Sequence, residues 1–110
     1  MTIERCDIII PVWNQPEATK ECMDSIFEYT NYPYRLIVID NESDKKTEGY
    51  LRNLKEENET NFMLIRNDRN LGFVKAINQG IRQSDAAYAC VMNNDVIATN
   101  RWLGEMVKVM

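Results

Sequence analysis

Four short apolar runs constrain this chain more than anything else in it: Ile8-Ile9-Ile10, Leu36-Ile37-Val38-Ile39, Phe62-Met63-Leu64-Ile65 and the stretch from Tyr88 to Met92. The first two are continuous and rich in β-branched residues, without the polar alternation of a strand that wets one face. They read as strands buried on both sides of a parallel sheet, the first spanning Cys6 to Val12. Polar residues or proline close each run, and a segment with helical spacing follows. From Pro16 to about Tyr29, Ala18, Cys22, Ile26 and Tyr29 recur at helical intervals, Pro16 suits a first turn, and Asn14 or Gln15 precedes it. Ser43 or Asp44 caps a second helix with Thr47, Tyr50, Leu51 and Leu54 inward, ending in the polar run from Lys55 to Asn61. Phe73 or Val74, with Ile77 and Ile81, gives the inward face of a third, whose Gly80 suits close packing on a neighbour. Asn100 caps a fourth, with Leu103, Met106, Val107 and Met110 on one stripe.

Strands and helices thus alternate four times, which predicts an α/β fold: a Rossmann-like three-layer α/β/α arrangement on a mainly parallel sheet. Right-handed crossovers give the strand order 3-2-1-4, with a topological switch point between the first and fourth strands. Ligands bind at such crevices, beyond the carboxyl ends of the strands. The residues to interrogate are therefore Trp13-Asn14, Asp40-Asn41, Arg66 to Asn70, and Asn93 to Asp95.

Composition removes whole classes of function. The 110 residues have room for one domain. Thirteen basic against seventeen acidic residues leave a net charge of −4, the wrong sign for a protein that holds nucleic acid by phosphate neutralisation. The chain has no histidine, so imidazole acid–base catalysis, His-based triads and His-ligated zinc are unavailable. Cys6, Cys22 and Cys90 are odd in number, form no C-x-x-C pair and sit in apolar stretches, so they read as reduced core thiols. No apolar run approaches the ~18–20 residues of a membrane span and no signal-peptide pattern opens the chain, which makes the cytoplasm the expected compartment.

At the strand ends each candidate has two roles open to it. The four glycines form neither G-x-G-x-x-G nor G-x-x-x-x-G-K-S/T, so a bound phosphate needs another partner. Asp95 offers a hard oxygen ligand for Mg²⁺ or Mn²⁺, or closes an Asn93-Asn94-Asp95 turn. Asp40 accepts hydrogen bonds only, so it can take the imide N–H of uracil or thymine or the N1–H of guanine and has no donor for cytosine, or it can hold an Asx turn with Asn41 and Ser43. Trp13 stacks on a base or covers the sheet edge. Arg66, Arg69 and Lys75 neutralise a diphosphate or are ordinary surface charge.

Together these residues resemble a known family. Ile10-Pro11-Val12-Trp13-Asn14 is similar to its I-P-V-y-N opening, and Val38-Ile39-Asp40-Asn41-Glu42-Ser43 to its V-D-N-x-S strand end. Asn70-Leu71-Gly72-Phe73 with Asn78-Gln79-Gly80-Ile81 resembles N-x-G-F-x(4)-N-x-G-I, and Met92-Asn93-Asn94-Asp95-Val96 the L-N-x-D-v variant of D-x-D. The family is glycosyltransferase family 2, inverting enzymes of the GT-A fold, and the four motifs stand in order over nearly the whole chain.

The resemblance implies a nucleotide site of Pro11, Val12, Trp13, Asn14, Asp40, Asn41, Asn70, Gly72, Lys75, Asn93 and Asn94, with Asp95 on a Mg²⁺ or Mn²⁺ ion that binds the diphosphate. The sequence departs from the family pattern at Asn93, where D-x-D has its first aspartate, and at Lys45, where the second Asp of D-N-x-S-x-D belongs and Asp44 comes one place early. The implied reaction is a single displacement: an acceptor hydroxyl, deprotonated by a carboxylate, attacks the anomeric carbon of a UDP-, dTDP- or GDP-sugar. The acceptor is a saccharide or lipid-linked, as in cell-surface polysaccharide synthesis, with the enzyme cytoplasmic or peripheral at the inner face of the membrane. In this family the catalytic base and the acceptor half follow the D-x-D strand, so residues 1–110 are expected to be the donor-binding portion, truncated and inactive alone. Leu103, Met106, Val107 and Met110 are then expected on an exposed apolar face through which copies associate. The alternative is a nucleotide-binding or protein-interaction module with no transfer activity. A phospho-accepting receiver domain is excluded, because Pro11 and Arg66 stand where it needs acidic residues.

Overall fold

A computed structural model describes the backbone of residues 4–107 and the side chains through Gly104. Strand β1 (Cys6–Val12) leads to helix α1 (Pro16–Tyr29), β2 (Tyr34–Asn41) to α2 (Lys45–Glu57), β3 (Phe62–Asn67) to α3 (Phe73–Gln83), and β4 (Tyr88–Val91) to α4 (Trp102–Val107). The four strands form one parallel sheet in the order β3-β2-β1-β4. Ile8 lies beside Leu36 and Ile10 beside Val38, and Val12, Asp40 and Arg66 stand side by side where β1, β2 and β3 end.

The continuous apolar strands do what their sequence dictates, since alternate residues feed opposite layers. Ile8, Ile10, Val12, Leu36 and Val38 pack with Cys22, Met23 and Ile26 of α1, Leu51 and Leu54 of α2, and Leu103 of α4. Ile9, Ile37 and Ile39 form the second core with Ala76 of α3. Cys6 and Cys22 are buried, Cys90 is half-buried, and all three are free thiols. At the amino edge of the sheet a fully buried Asp7 accepts from Arg5 Nε and Arg35 Nη2, each at 3.0 Å, and from Ser84 Oγ at 2.7 Å. It ties the end of α3 to the edge opposite the site.

Two details differ from the sequence expectation. The face of α3 that meets the sheet is Ala76 and Gly80, whereas Phe73, Val74 and Ile81 are exposed and Ile77 is only half-buried. The reason is proximity: a Cβ on Gly80 would lie 2.5 Å from Ile9 Cγ2 and 3.1 Å from Ile39 Cδ1, so small residues let the helix lie flat on β1 and β2. In α4, Leu103 is fully buried in the first core, so it belongs to no exposed face; Met106, Val107 and Met110 fall outside the described side chains. Asn100 does not cap that helix, which begins at Trp102 after Arg101 in the left-handed region, with Trp102 N–H donating to Thr99 O at 3.2 Å.

Candidate functional site

The carboxyl ends of the strands carry a cleft of about 270 Å³ at the predicted switch point between β1 and β4. Pro11, Val12 and Trp13 line it from β1, Asn41 from β2, Asn70, Gly72 and Phe73 from the start of α3, and Asn93 and Asn94 from the end of β4. Eight of the eleven residues expected to hold a nucleotide are thus brought together. Asn14, Asp40 and Lys75 do not line the cleft, whereas Phe73, which helical periodicity turns inward, does. Its half-exposed ring stands at the first helical position, and the signal for it was the N-x-G-F resemblance of Asn70 to Phe73, not the helical periodicity.

The turn after β1 is held tightly. Asn14 and Gln15 both take left-handed backbone, with φ of 57° and 63°, a conformation costly for residues other than glycine and most easily borne by asparagine. Hydrogen bonds over-determine it. Asn14 N–H donates to Ser43 Oγ at 2.9 Å, and its Oδ1 accepts from Asp44 N–H at 2.7 Å. Asn94 Nδ2 donates to Thr19 Oγ1 at 2.9 Å and to Asn14 O at 3.4 Å. Asn14 therefore joins the ends of β1, β2 and β4. Asp44 also caps α2, accepting from Thr47 N–H at 2.9 Å, and this bond, first among its causes, holds the carboxyl below its ordinary range.

Asn41 seats the loop before α3. Its Nδ2 donates to Gly72 O at 3.2 Å, while its Oδ1 accepts from Asn67 Nδ2 at 2.8 Å and Leu71 N–H at 3.4 Å. Asn70 Oδ1 takes the Gly72 N–H at 2.8 Å. Gly72 has φ of 87°, a conformation that glycine adopts without strain, and the chain turns there into α3.

Asp40 is buried, with Oδ1 accepting from Ser43 N–H at 2.9 Å and Oδ2 from Arg66 Nη1 at 2.8 Å. The Arg66 guanidinium also donates to Ser43 O at 3.1 Å and lies 3.4 Å from Glu48 Oε2. The Asp40 bond, ahead of the neighbouring charges, raises the Arg66 pKa further above its ordinary value.

Asp95 is exposed in the turn after β4, beside the cleft-lining Asn93 and Asn94. Among the described residues no cluster of three or more Cys, Asp or Glu side chains could hold a metal by itself. One exposed carboxylate with neutral amide oxygens nearby suits a hard cation that takes its remaining oxygens from a diphosphate and water, and it does not suit a structural metal.

A strand-end cleft at a topological switch point, with a single carboxylate at its rim, is where α/β proteins as a class bind their ligands. The comparisons narrow it. The family profile of glycosyl transferase family 2 matches residues 7–110, and the chain belongs to that family. It is 30% identical over 105 residues to the glycosyltransferase AglE of Haloferax volcanii, covering 93% of this chain and 34% of the relative. An uncharacterized glycosyltransferase of Methanocaldococcus jannaschii is 28% identical, with 94% and 36% covered. The fold is similar to that of the mannosyltransferase PcManGT from Pyrobaculum calidifontis, solved in complex with GDP-Man and Mn²⁺, with a TM-score of 0.80 at 22% identity over 92% of this chain and 30% of that one. It is also similar to S. aureus TarS residues 1–349 in complex with UDP, with a TM-score of 0.79 at 18% identity over 96% and 31%. The chain spans about a third of the length of these relatives. No helix among the described residues is long and apolar enough to cross a membrane.

Proposed function

We propose that this chain binds the donor of an inverting glycosyltransferase: a nucleoside-diphosphate sugar of the UDP, dTDP or GDP type, held with Mg²⁺ or Mn²⁺. The observation that carries the reading is the cleft of about 270 Å³, in which four separate family-like motifs meet, at the ends of β1, β2 and β4 and at the start of α3. Pro11 to Trp13 and Asn41 lie along the nucleoside, with Asp40 behind them. Asn70 and Gly72 close the far wall, and Asn93 and Asn94 lie towards the diphosphate. Lys75, exposed in the first turn of α3, is the cation that this reading gives to the diphosphate. Asp95, with the amide oxygen of Asn93, would hold the cation, which when bound offsets the charge of the leaving diphosphate. The GDP-Man and Mn²⁺ named with PcManGT, and the UDP named with TarS, support this ligand class.

Transfer to a saccharide or lipid-linked acceptor hydroxyl, as in cell-surface polysaccharide synthesis at the cytoplasmic side of a membrane, is the activity of the whole enzyme in this reading. None of the side chains lining the cleft is a base able to deprotonate an acceptor. Family membership favours this over a module without transfer chemistry. Calorimetric titration of the chain with UDP, dTDP and GDP, with and without Mn²⁺, tests it. Metal-enhanced binding of one of them is expected, and no binding of any of the three overturns the reading.

A further inference from the structure

Resting on that donor-binding reading, we infer that helix α1 sets the place of the cation: Thr19, Cys22 and Ser25 are positioning residues that hold the turn carrying Asp95. The three stand three residues apart on one face of the helix, and all are buried. Each reaches the segment after β4. Thr19 Oγ1 accepts from Asn94 Nδ2 at 2.9 Å, Cys22 Sγ donates to Asn93 O at 3.7 Å, and Ser25 Oγ accepts from Ala98 N–H at 2.8 Å. The hydroxyl proton of Ser25 goes to Cys22 O at 2.7 Å, so its lone pairs are left for Ala98. Farther along, Tyr29 O accepts from Arg101 N–H at 3.2 Å and Thr30 Oγ1 from Trp102 Nε1 at 2.9 Å, so the same helix also holds the far end of the segment.

The segment has little to hold it otherwise. It lies between the end of β4 and the start of α4, and from Asn93 to Ala98 its own backbone closes one turn, Val96 N–H to Asn93 O at 3.4 Å. Asp95 is exposed, while Asn93, Asn94 and Ala98 around it are the residues that α1 grips. A lone carboxylate that shares its ion with a diphosphate and water has no second protein carboxylate to correct its aim. The place of the ion then follows the turn, and the turn follows α1. The choice of residues agrees. Thr, Cys and Ser are poorer helix formers than alanine or leucine, and a buried hydroxyl is costly unless bonded, so the bonds to this segment account for their presence on the inner face of α1. Ser25 and Ala98 line no part of the nucleotide cleft, which separates their effect on the ion from any contact with the nucleotide.

The test titrates the full chain by calorimetry with UDP, dTDP and GDP, each with and without Mn²⁺, and follows the tightest binder through the variants. Ser25→Ala is expected to bind the Mn²⁺ complex of that nucleotide roughly tenfold more weakly than the native chain, the low end of what partners of a metal ligand contribute, and the metal-free nucleotide equally well. Thr19→Val, which removes the acceptor for Asn94, should weaken the Mn²⁺ complex likewise, and Thr19→Ser, which keeps the oxygen, should restore it. Amide hydrogen exchange over residues 93–98 of the metal-free chain should quicken in Ser25→Ala and Thr19→Val and stay native in Thr19→Ser. Where Ser25→Ala does not fold, the Thr19 pair carries the same comparison. A lower urea midpoint with an unchanged Mn²⁺ complex makes these bonds a matter of stability alone and overturns the inference. Equal losses with and without metal make α1 a support of the whole cleft, also against it. A Mn²⁺ gain that survives Asp95→Ala puts the ion elsewhere and overturns the inference with donor binding intact, whereas a native chain that binds none of the three nucleotides overturns the donor-binding reading itself.

Discussion

Asn67 and Gln79 exchange a pair of hydrogen bonds, Asn67 Nδ2 donating to Gln79 Oε1 and Gln79 Nε2 donating back to Asn67 Oδ1, both at 2.8 Å. The other Nδ2 proton of Asn67 goes to Asn41 Oδ1 at 2.8 Å. The end of β3 is thereby tied to the middle of α3 and to the end of β2, and the loop between them, which carries Asn70 and Gly72, has a fixed base. In this network both amide protons of Asn67 are used, as buried polar groups require.

Asn67→Ala removes three of these bonds and leaves the buried Asn41 Oδ1 with only the long bond from Leu71 N–H, at 3.4 Å. A loss of about 1–3 kcal/mol is expected, read as a lower urea midpoint at unchanged slope. Cleavage of the loop 68–72 by a protease should accelerate alongside. An unchanged midpoint means that water or a neighbour replaces the network.

Gly80→Ala tests the contact between α3 and the sheet. Alanine gains roughly 1 kcal/mol of helix propensity over glycine, but here its Cβ would lie 2.5 Å from Ile9 Cγ2. Overpacking of this kind costs about 1–3 kcal/mol, so net destabilisation is expected. In the double variant with Ile9→Ala the two losses should fall short of their sum, because the clashing Cγ2 is gone. A more stable Gly80→Ala single variant would show that α3 can rise off the sheet at no cost.

The same helix shows where sequence reasoning reached and where it stopped. The strands were legible because burial on two faces leaves a continuous β-branched signature, and the order 3-2-1-4 followed from handedness. The orientation of α3 was not legible, since periodicity weights Phe73, Ile77 and Ile81 for their size whereas the sheet accepts Ala76 and Gly80 for their smallness. At the site, the strand-end positions of Trp13, Asn41 and Asn93 pointed to the cleft. The amide pairing of Asn67 with Gln79 and the clamp of Arg66 on Asp40 join residues far apart in sequence, and no local pattern encodes them. Asp7, buried within an apolar strand, gave no sign of the two arginines that meet it.

The buried thiols give a pH dependence. Burial, ahead of any neighbouring charge, pushes Cys6 and Cys22 from 9.0 to about 11. A group whose folded pKa is raised favours its protonated form in the native state, so the stability it contributes is fully present below pH 9 and is lost as pH rises towards 11. The urea midpoint is expected to fall across that window, and Cys6→Ala/Cys22→Ala should flatten the fall. At pH 8 a thiol reagent should modify the native chain far more slowly than the unfolded one.

Asp95→Ala addresses the cation. The residue is exposed in a turn, so the fold should survive with an unchanged thermal midpoint. The gain in nucleoside-diphosphate affinity on adding Mn²⁺ should disappear, while affinity without metal remains. Asp95→Asn, which keeps an oxygen but removes the charge, should fall between. A metal-dependent gain that persists in Asp95→Ala places the cation on another residue.

The last expectation is that the chain self-associates along β4. The sheet order leaves β4 as an outer strand, and Tyr88–Val91 carries none of the lysine or proline that commonly guards an exposed edge. Beside it lies a groove of about 470 Å³, lined in part by Phe73, Val91, Val96, Ile97 and Trp102, and none of its lining residues is charged. On a chain of net charge −4 this is a surface where two copies meet without like-charge repulsion. Leu103 lies in the core and takes no part, so the apolar contact comes from β4 and the loop after it. A two-fold arrangement would pair the two β4 strands antiparallel and close the assembly at a dimer. Sedimentation velocity across micromolar concentrations should show a monomer–dimer equilibrium, and Val91→Lys, at an already exposed position, should shift it to monomer without changing the urea midpoint. A strictly monomeric wild-type chain overturns the edge-pairing argument, and a dimer indifferent to Val91→Lys moves the interface to another face.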